Sequence, residues 1–179
     1  MVKFLGIYFG RERQEKQRAD ALYNHLVAAS RNPVLYGGSG APDTANGRFE
    51  LIILHIFMLF RRMQDNDDQV KFIKQKTFDC FLENMDVNLR EIGVGPDGVP
   101  KRIQKMLENF YGRAAAYQSA IDDNDVEKLA EVIARNFYAD GKVNEQGAQH
   151  IAQYVFNVIK LLDQTSTDDL LVCNFKYSN

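Results

Sequence analysis

Apolar residues recur along the chain at intervals of three and four, the spacing that gathers side chains on one side of an α-helix, and no pair of segments alternates as strands do. The first helix is expected from about Arg13 to Ser30, with Ala19, Leu22, Tyr23, Leu26 and Val27 on one face; Arg31-Asn32-Pro33 ends it, because the residue before a proline is pushed out of the helical region. The stretch Tyr36 to Gly47 holds four glycines and a proline and reads as a surface loop. The second helix, about Arg48 to Gln64, is apolar almost all round, which places it in the middle of a bundle.

Asp65-Asn66-Asp67-Asp68 breaks that run and offers N-caps to a third helix. There Val70, Ile73, Phe78, Phe81, Leu82, Met85, Leu89 and Ile92 keep the helical period, until the glycines after Ile92 stop it. Pro100 suits the first turn of a fourth helix, with Ile103, Met106, Leu107, Phe110, Ala114, Tyr117 and Ile121 as its stripe. Asn124-Asp125-Val126-Glu127 reads as a capping box opening a fifth, and Gly141 separates that from a last helix, about Asn144 to Leu162. The tail from Gln164 follows no period and receives no assignment. The expected fold is all-α: a compact single-domain helical bundle or orthogonal helical array of five to six helices. The division is an N-terminal segment 1–18, a helical domain 19–163 and a C-terminal tail 164–179.

A chain of 179 residues fits one ordinary domain. Its formal net charge of −2 excludes a strongly basic nucleic-acid binder. That charge is uneven: residues 1–113 carry +3 and residues 114–179 carry −5. Lys3, Arg11, Arg13, Lys16 and Arg18 stand beside an apolar N-terminal stretch, a pairing that suits an anionic membrane surface as well as an ordinary solvated helix face. Cys80 and Cys173, far apart and in no CxxC context, point to a reducing compartment, and the N-terminus lacks the pattern of a secretion signal. The longest apolar run, Leu51 to Phe60, falls short of the roughly 20 residues a membrane span requires.

Candidate chemistry is sparse. His55 interrupts the apolar second helix, where a core histidine bonded to one partner is the ordinary explanation. His25 and His150, among Asn, Ala and Gln, read as surface residues. Asp79, Glu83 and Asp86 share a stripe of the third helix and, with His55, form the one candidate set for a carboxylate/histidine metal enzyme. Against it, the Glu-x-x-His pairs of such sites are missing, and Arg90 four residues after Asp86 accounts for that carboxylate as an ion pair. Nucleophile-elbow, HExxH and calcium-loop patterns are absent. Gly112, inside a helix at a cost of about 1 kcal/mol, is expected where another backbone approaches closely, or where a groove leaves room for a bound segment that Arg113 grips.

Read together, these pieces become specific. Leu22-Tyr23, Leu26-Val27 and Ser30-Arg31-Asn32-Pro33 are followed by Pro42-Asp43-Thr44, Gly47-Arg48-Phe49-Glu50, Leu54-His55 and Arg61-Arg62. Then come Met85-Asp86, Leu89-Arg90-Glu91, Gly93-Val94-Gly95, Lys101-Arg102, Lys105-Met106 and Phe110-Tyr111-Gly112-Arg113. In this order, over about residues 19 to 140, the sequence resembles the ubiquinol–cytochrome c chaperone family. Asn84, where the pattern has an acidic residue, and Pro96, where its turn continues differently, depart from it.

The resemblance implies an all-helical assembly factor for ubiquinol–cytochrome c reductase, respiratory complex III, that binds newly synthesised cytochrome b or other subunits of the complex without catalytic turnover. It implies no catalytic residue, metal or cofactor and no nucleic acid. A second assembly factor and peripheral membrane contact stand as further partners, and the expected location is cytoplasmic, peripheral at the inner membrane. The residues that match are Arg48, Glu50, His55, Asp86, Arg90, Glu91, Gly93, Gly95, Tyr111, Gly112 and Arg113. The resemblance leaves open whether they meet a client or hold the fold.

Overall fold

The computed structural model describes residues 2–63, 67–139 and 141–177, with side chains given from Arg13 onward except Ser39. Gln64, expected to end the second helix, and the expected caps Asp65 and Asn66 lie outside the described residues, as do the side chains of Lys3 and Arg11. The described residues form α1 (Val2–Ser30), α2 (Ala45–Arg62), α3 (Asp68–Glu91), α4 (Gly98–Asp122), α5 (Val126–Phe137), α6 (Glu145–Gln164) and the single turn α7 (Thr167–Leu171). No strand occurs among them.

The apolar helix is where its pattern requires. From Ile53 to Leu59 every side chain of α2 is buried, His55 included, because α1 packs on one side of it and α5 and α6 on others. Around this axis α1 lies on α3, α3 on α4, α4 on α5, and α5 on α6. Each fully buried leucine of the core, Leu22, Leu26, Leu51 and Leu54 among them, contributes about 1.5–3 kcal/mol.

The helix ends show what local chemistry sets. Thr44, Asp67, Asp125 and Asn144 each accept a backbone N–H, from Gly47, Gln69, Lys128 and Gly147, at 3.1, 2.6, 2.8 and 3.0 Å. Asp125 caps α5, not the expected Asn124; Asn124 takes φ of +50°, a left-handed value asparagine tolerates, so the box with Glu127 does not form. Helix α1 begins eleven residues before Arg13, since nothing in the preceding segment terminates a helix and its two glycines only weaken one. Two short 3-10 turns follow α1, Pro33–Leu35 just before the glycine loop and Gly37–Ser39 within it. A Cβ at Gly47 would run into the carbonyl oxygen of Pro42, so the loop comes back hard against the start of α2.

The unassigned tail belongs to the core. After α7 the chain buries Phe175 and Tyr177 against α1 and α2, continuous with the rest of the apolar interior.

Candidate functional site

The family-matching residues divide into two buried clusters and a set of surface positions. Glu50 projects from the second turn of α2 and has no exposed surface. Arg113, from the middle of α4, donates from Nη2 to its Oε1 at 2.6 Å. Burial pushes the Glu50 carboxyl up to about 7, although the guanidinium pulls it down. The pair is incompletely satisfied: Glu50 Oε2 and Arg113 Nε are both buried without a hydrogen-bond partner. Beside it the Tyr117 hydroxyl accepts from Asn136 Nδ2 at 3.4 Å, and Asn46 Nδ2 donates to the Asn136 carbonyl at 3.3 Å, so a polar seam joins α2, α4 and α5. Arg113 thus holds an internal carboxylate, whereas a grip on a bound segment was the sequence-level alternative.

The second cluster surrounds His55. Its Nδ1–H donates to the carbonyl of Leu51 at 2.7 Å, which leaves Nε2 to accept the hydroxyl hydrogen of Tyr154 at 2.8 Å. Burial lowers its pKa to about 4. The rings of Tyr177 and Tyr154 lie 4.9 and 5.6 Å from it. His25, expected on the surface, instead packs its ring 4.6 Å from Phe175 and 5.7 Å from Tyr177, and its Nε2 is buried without a partner. The tail covers it, and nothing in the helical period of α1 announces that. His150 is exposed as expected.

The metal reading does not survive this geometry. Both ring nitrogens of His55 are engaged, Asp79 pairs with Lys76 at 3.2 Å, and Asp86 takes both bonds of Arg90. Among the described residues no three His, Cys, Asp or Glu come together to hold a metal ion. The glycine loop is tied to the body of the protein: its Gly38 and Gly40 carbonyls accept from Asn144 Nδ2 and the Tyr138 hydroxyl, at 2.9 and 2.7 Å.

The remaining matches are on the surface. Arg48 pairs with Asp43 at 2.7 Å with both side chains exposed, where water and salt screen the contact. Glu91 is exposed, and so are Gly93, with φ of +87°, and Gly95. Tyr111 is 65% exposed beside Gly112, where an added Cβ would meet nothing within 4 Å. Close packing of a second backbone, the favoured explanation of that glycine, is therefore overturned.

A largely buried aromatic ridge that no single helix period reveals joins α2, α3 and α4. Phe78 lies 5.6 Å from Phe81, 5.1 Å from Phe110 and 6.2 Å from Phe60, and Phe81 lies 6.2 Å from Phe49. Ridge residues come from α2 and α3, and α4 supplies Phe110 across it.

Residues 38–177 match the ubiquinol-cytochrome C chaperone family. The chain belongs to that family. Over 131 residues it is 27% identical to human, 26% to mouse and 24% to Xenopus laevis ubiquinol-cytochrome c reductase complex assembly factor 1. It spans 44% of the length of the human and mouse proteins. The crystal structure of the Cbp3 homolog from Brucella abortus superimposes over the whole chain and 97% of its own, at a TM-score of 0.86 and 32% identity. The all-α expectation and the family resemblance are both borne out. The family is described as a ubiquinol-cytochrome C chaperone. No helix among its described residues is long and apolar enough to cross a membrane.

Proposed function

We propose that this chaperone binds newly synthesised cytochrome b and holds it while ubiquinol–cytochrome c reductase is assembled, without catalytic turnover. The observation that carries the reading is the similarity over the entire chain to a Cbp3 homolog at 32% identity, together with the family match over residues 38–177. The chemistry agrees. A membrane-protein client offers an apolar helix, and the exposed side chains of Val87, Ile92 and Tyr111 put apolar surface on the outside of the bundle. The engaged ring nitrogens of His55 and the paired Asp79 and Asp86 support a holding role over a catalytic one.

Photo-crosslinking of the tagged protein in its native cells, with mass spectrometry of the membrane fraction, tests this. Cytochrome b among the specific adducts is the expected result. Normal formation of mature complex in cells lacking the protein, with no cytochrome b adduct, overturns it. Peripheral contact of the basic N-terminal segment with an anionic membrane is a second part of the proposal. Flotation with anionic vesicles that is lost on deleting residues 1–18 is its expected signature, and equal flotation of both chains rejects it.

A further inference from the structure

The turn joining α3 to α4 is closed by its own backbone. Gly93, at φ of +87°, donates to the Arg90 carbonyl at 2.9 Å and Val94 to the Leu89 carbonyl at 3.0 Å, the pair of bonds that finishes a helix on a glycine. Val94 is half-buried and folds back against Gly98. The Ile92 side chain takes no part in this closure: it is 72% exposed, more than any other large apolar residue described. Just beyond the turn Lys101, Arg102 and Lys105 are exposed near the start of α4. The helix macrodipole opposes cations at that end, and cations three and four residues apart repel one another on one face. Nothing local offsets this. The first turn of α4 holds no acid, Asp97 makes no side-chain cap bond, and Glu108 accepts from Gln104. Arg90 spends its charge on Asp86, and none of the three α4 cations forms an ion pair among the described residues. Glu91 and Asp97 are exposed acids at the turn, but residues 92–107 hold the three cations against Asp97 alone. An exposed isoleucine and three unpaired cations thus stand together at one end of the bundle, and the fold gains from neither.

We propose that the α3–α4 turn is a membrane-interface anchor: Ile92 enters the boundary between headgroups and acyl chains of an anionic bilayer, and Lys101, Arg102 and Lys105 meet lipid phosphates beside it. The occupant follows from charge and polarity together. A bilayer surface offers an apolar layer directly beneath anionic headgroups, which is the complement of an exposed isoleucine next to unpaired cations. An acidic protein segment answers the cations alone. The turn is a different surface from the basic segment 1–18. Arg13 and Lys16 line one cavity with Phe72 and Lys76, toward the start of α3, and roughly 20 Å of helix separates Lys76 from the turn. The anchor needs no client, so it and the cytochrome b reading fail separately.

The chain contains no tryptophan, so Ile92→Trp in the full chain carries a single fluorophore at the turn. With vesicles of phosphatidylcholine and phosphatidylglycerol its emission is expected to move to shorter wavelength and to be quenched by brominated acyl chains, and phosphatidylcholine alone gives neither effect. In that background Lys101→Gln, Arg102→Gln and Lys105→Gln are each expected to weaken partitioning about fivefold, and the three together about a hundredfold. Val172→Trp, exposed just after α7, is expected to show no shift. Without any tryptophan, Ile92→Asp is expected to lower binding to the same anionic vesicles about tenfold. Equal shifts from Ile92→Trp and Val172→Trp, or partitioning that the triple change leaves unmoved, overturn the anchor. Flotation of the chain with no shift from Ile92→Trp also overturns it, and leaves the N-terminal segment as the membrane contact. A shift with polyglutamate and none with anionic vesicles overturns it in favour of an acidic protein partner.

Discussion

Glu50 and His55 stand on the same helix with no exposed surface, Glu50 turned to Arg113 of α4 and His55 to Tyr154 of α6. Burial moves their protonation in opposite senses, to about 7 for the carboxyl and about 4 for the imidazole.

The consequence for stability has a definite sign. Unfolded, Glu50 ionises near 4.5; folded, it keeps its proton to about 7, so stability falls as pH rises through that interval. His55 takes up a proton near 6.5 when unfolded and near 4 when folded, so stability falls as pH drops through that one. The slopes oppose each other between 4.5 and 6.5. Glu50→Gln is expected to lose stability on acidification in this window, and His55→Gln to gain it. Urea midpoints at a series of pH values measure both, and parallel profiles for the two variants refute the assignment.

Above pH 7, where Glu50 is ionised, Arg113→Leu removes the cation from a buried carboxylate and is expected to cost about 3–5 kcal/mol, whereas the double change Glu50→Leu with Arg113→Met recovers most of that. Denaturant titration separates the two. A double variant as unstable as Arg113→Leu contradicts the pairing.

Two glycines make a controlled contrast. Gly47→Ala forces a Cβ against the Pro42 carbonyl and is expected to destabilise by about 2 kcal/mol or more. Gly112→Ala fills open space on a helix and is expected to stabilise by about 0.5–1 kcal/mol. Thermal melts of the two variants are expected to shift in opposite directions.

The tail offers a similar contrast. Phe175→Ala opens a hole beside His25 and is expected to cost about 3–5 kcal/mol. Tyr177→Phe deletes a hydroxyl that is buried without a partner and is expected to be neutral or stabilising. A large loss from Tyr177→Phe would mean the hydroxyl has a partner.

Helical periodicity located α2 to α6, because burial on one face leaves a direct mark on the order of residues. Phe110, Tyr117 and Ile121 are buried as their spacing predicts. What the sequence does not carry is which distant faces meet. Glu50 and Arg113 are separated by 63 positions, and neither has a local pattern that names the other. His25 sits among polar neighbours on α1 and is covered only by Phe175 and Tyr177, residues in a segment with no period of its own. Their alternation at the end of a polar tail was the one available signal of burial. Gly112 misled because a helical glycine usually marks tight packing, and here it marks none.

The glycine loop after α1 is pinned by donors made long after it. Tyr138 bonds the Gly40 carbonyl across 98 positions and Asn144 the Gly38 carbonyl across 106. At translation speeds of about 5–20 residues per second, on the order of ten seconds separate the loop's synthesis from that of its fasteners. Over the same interval the side of α2 that α6 will cover emerges without its partner. The protein therefore passes through a vulnerable period of its own, and its final docking step waits on α6 and the donors just before it, in the last quarter of its synthesis.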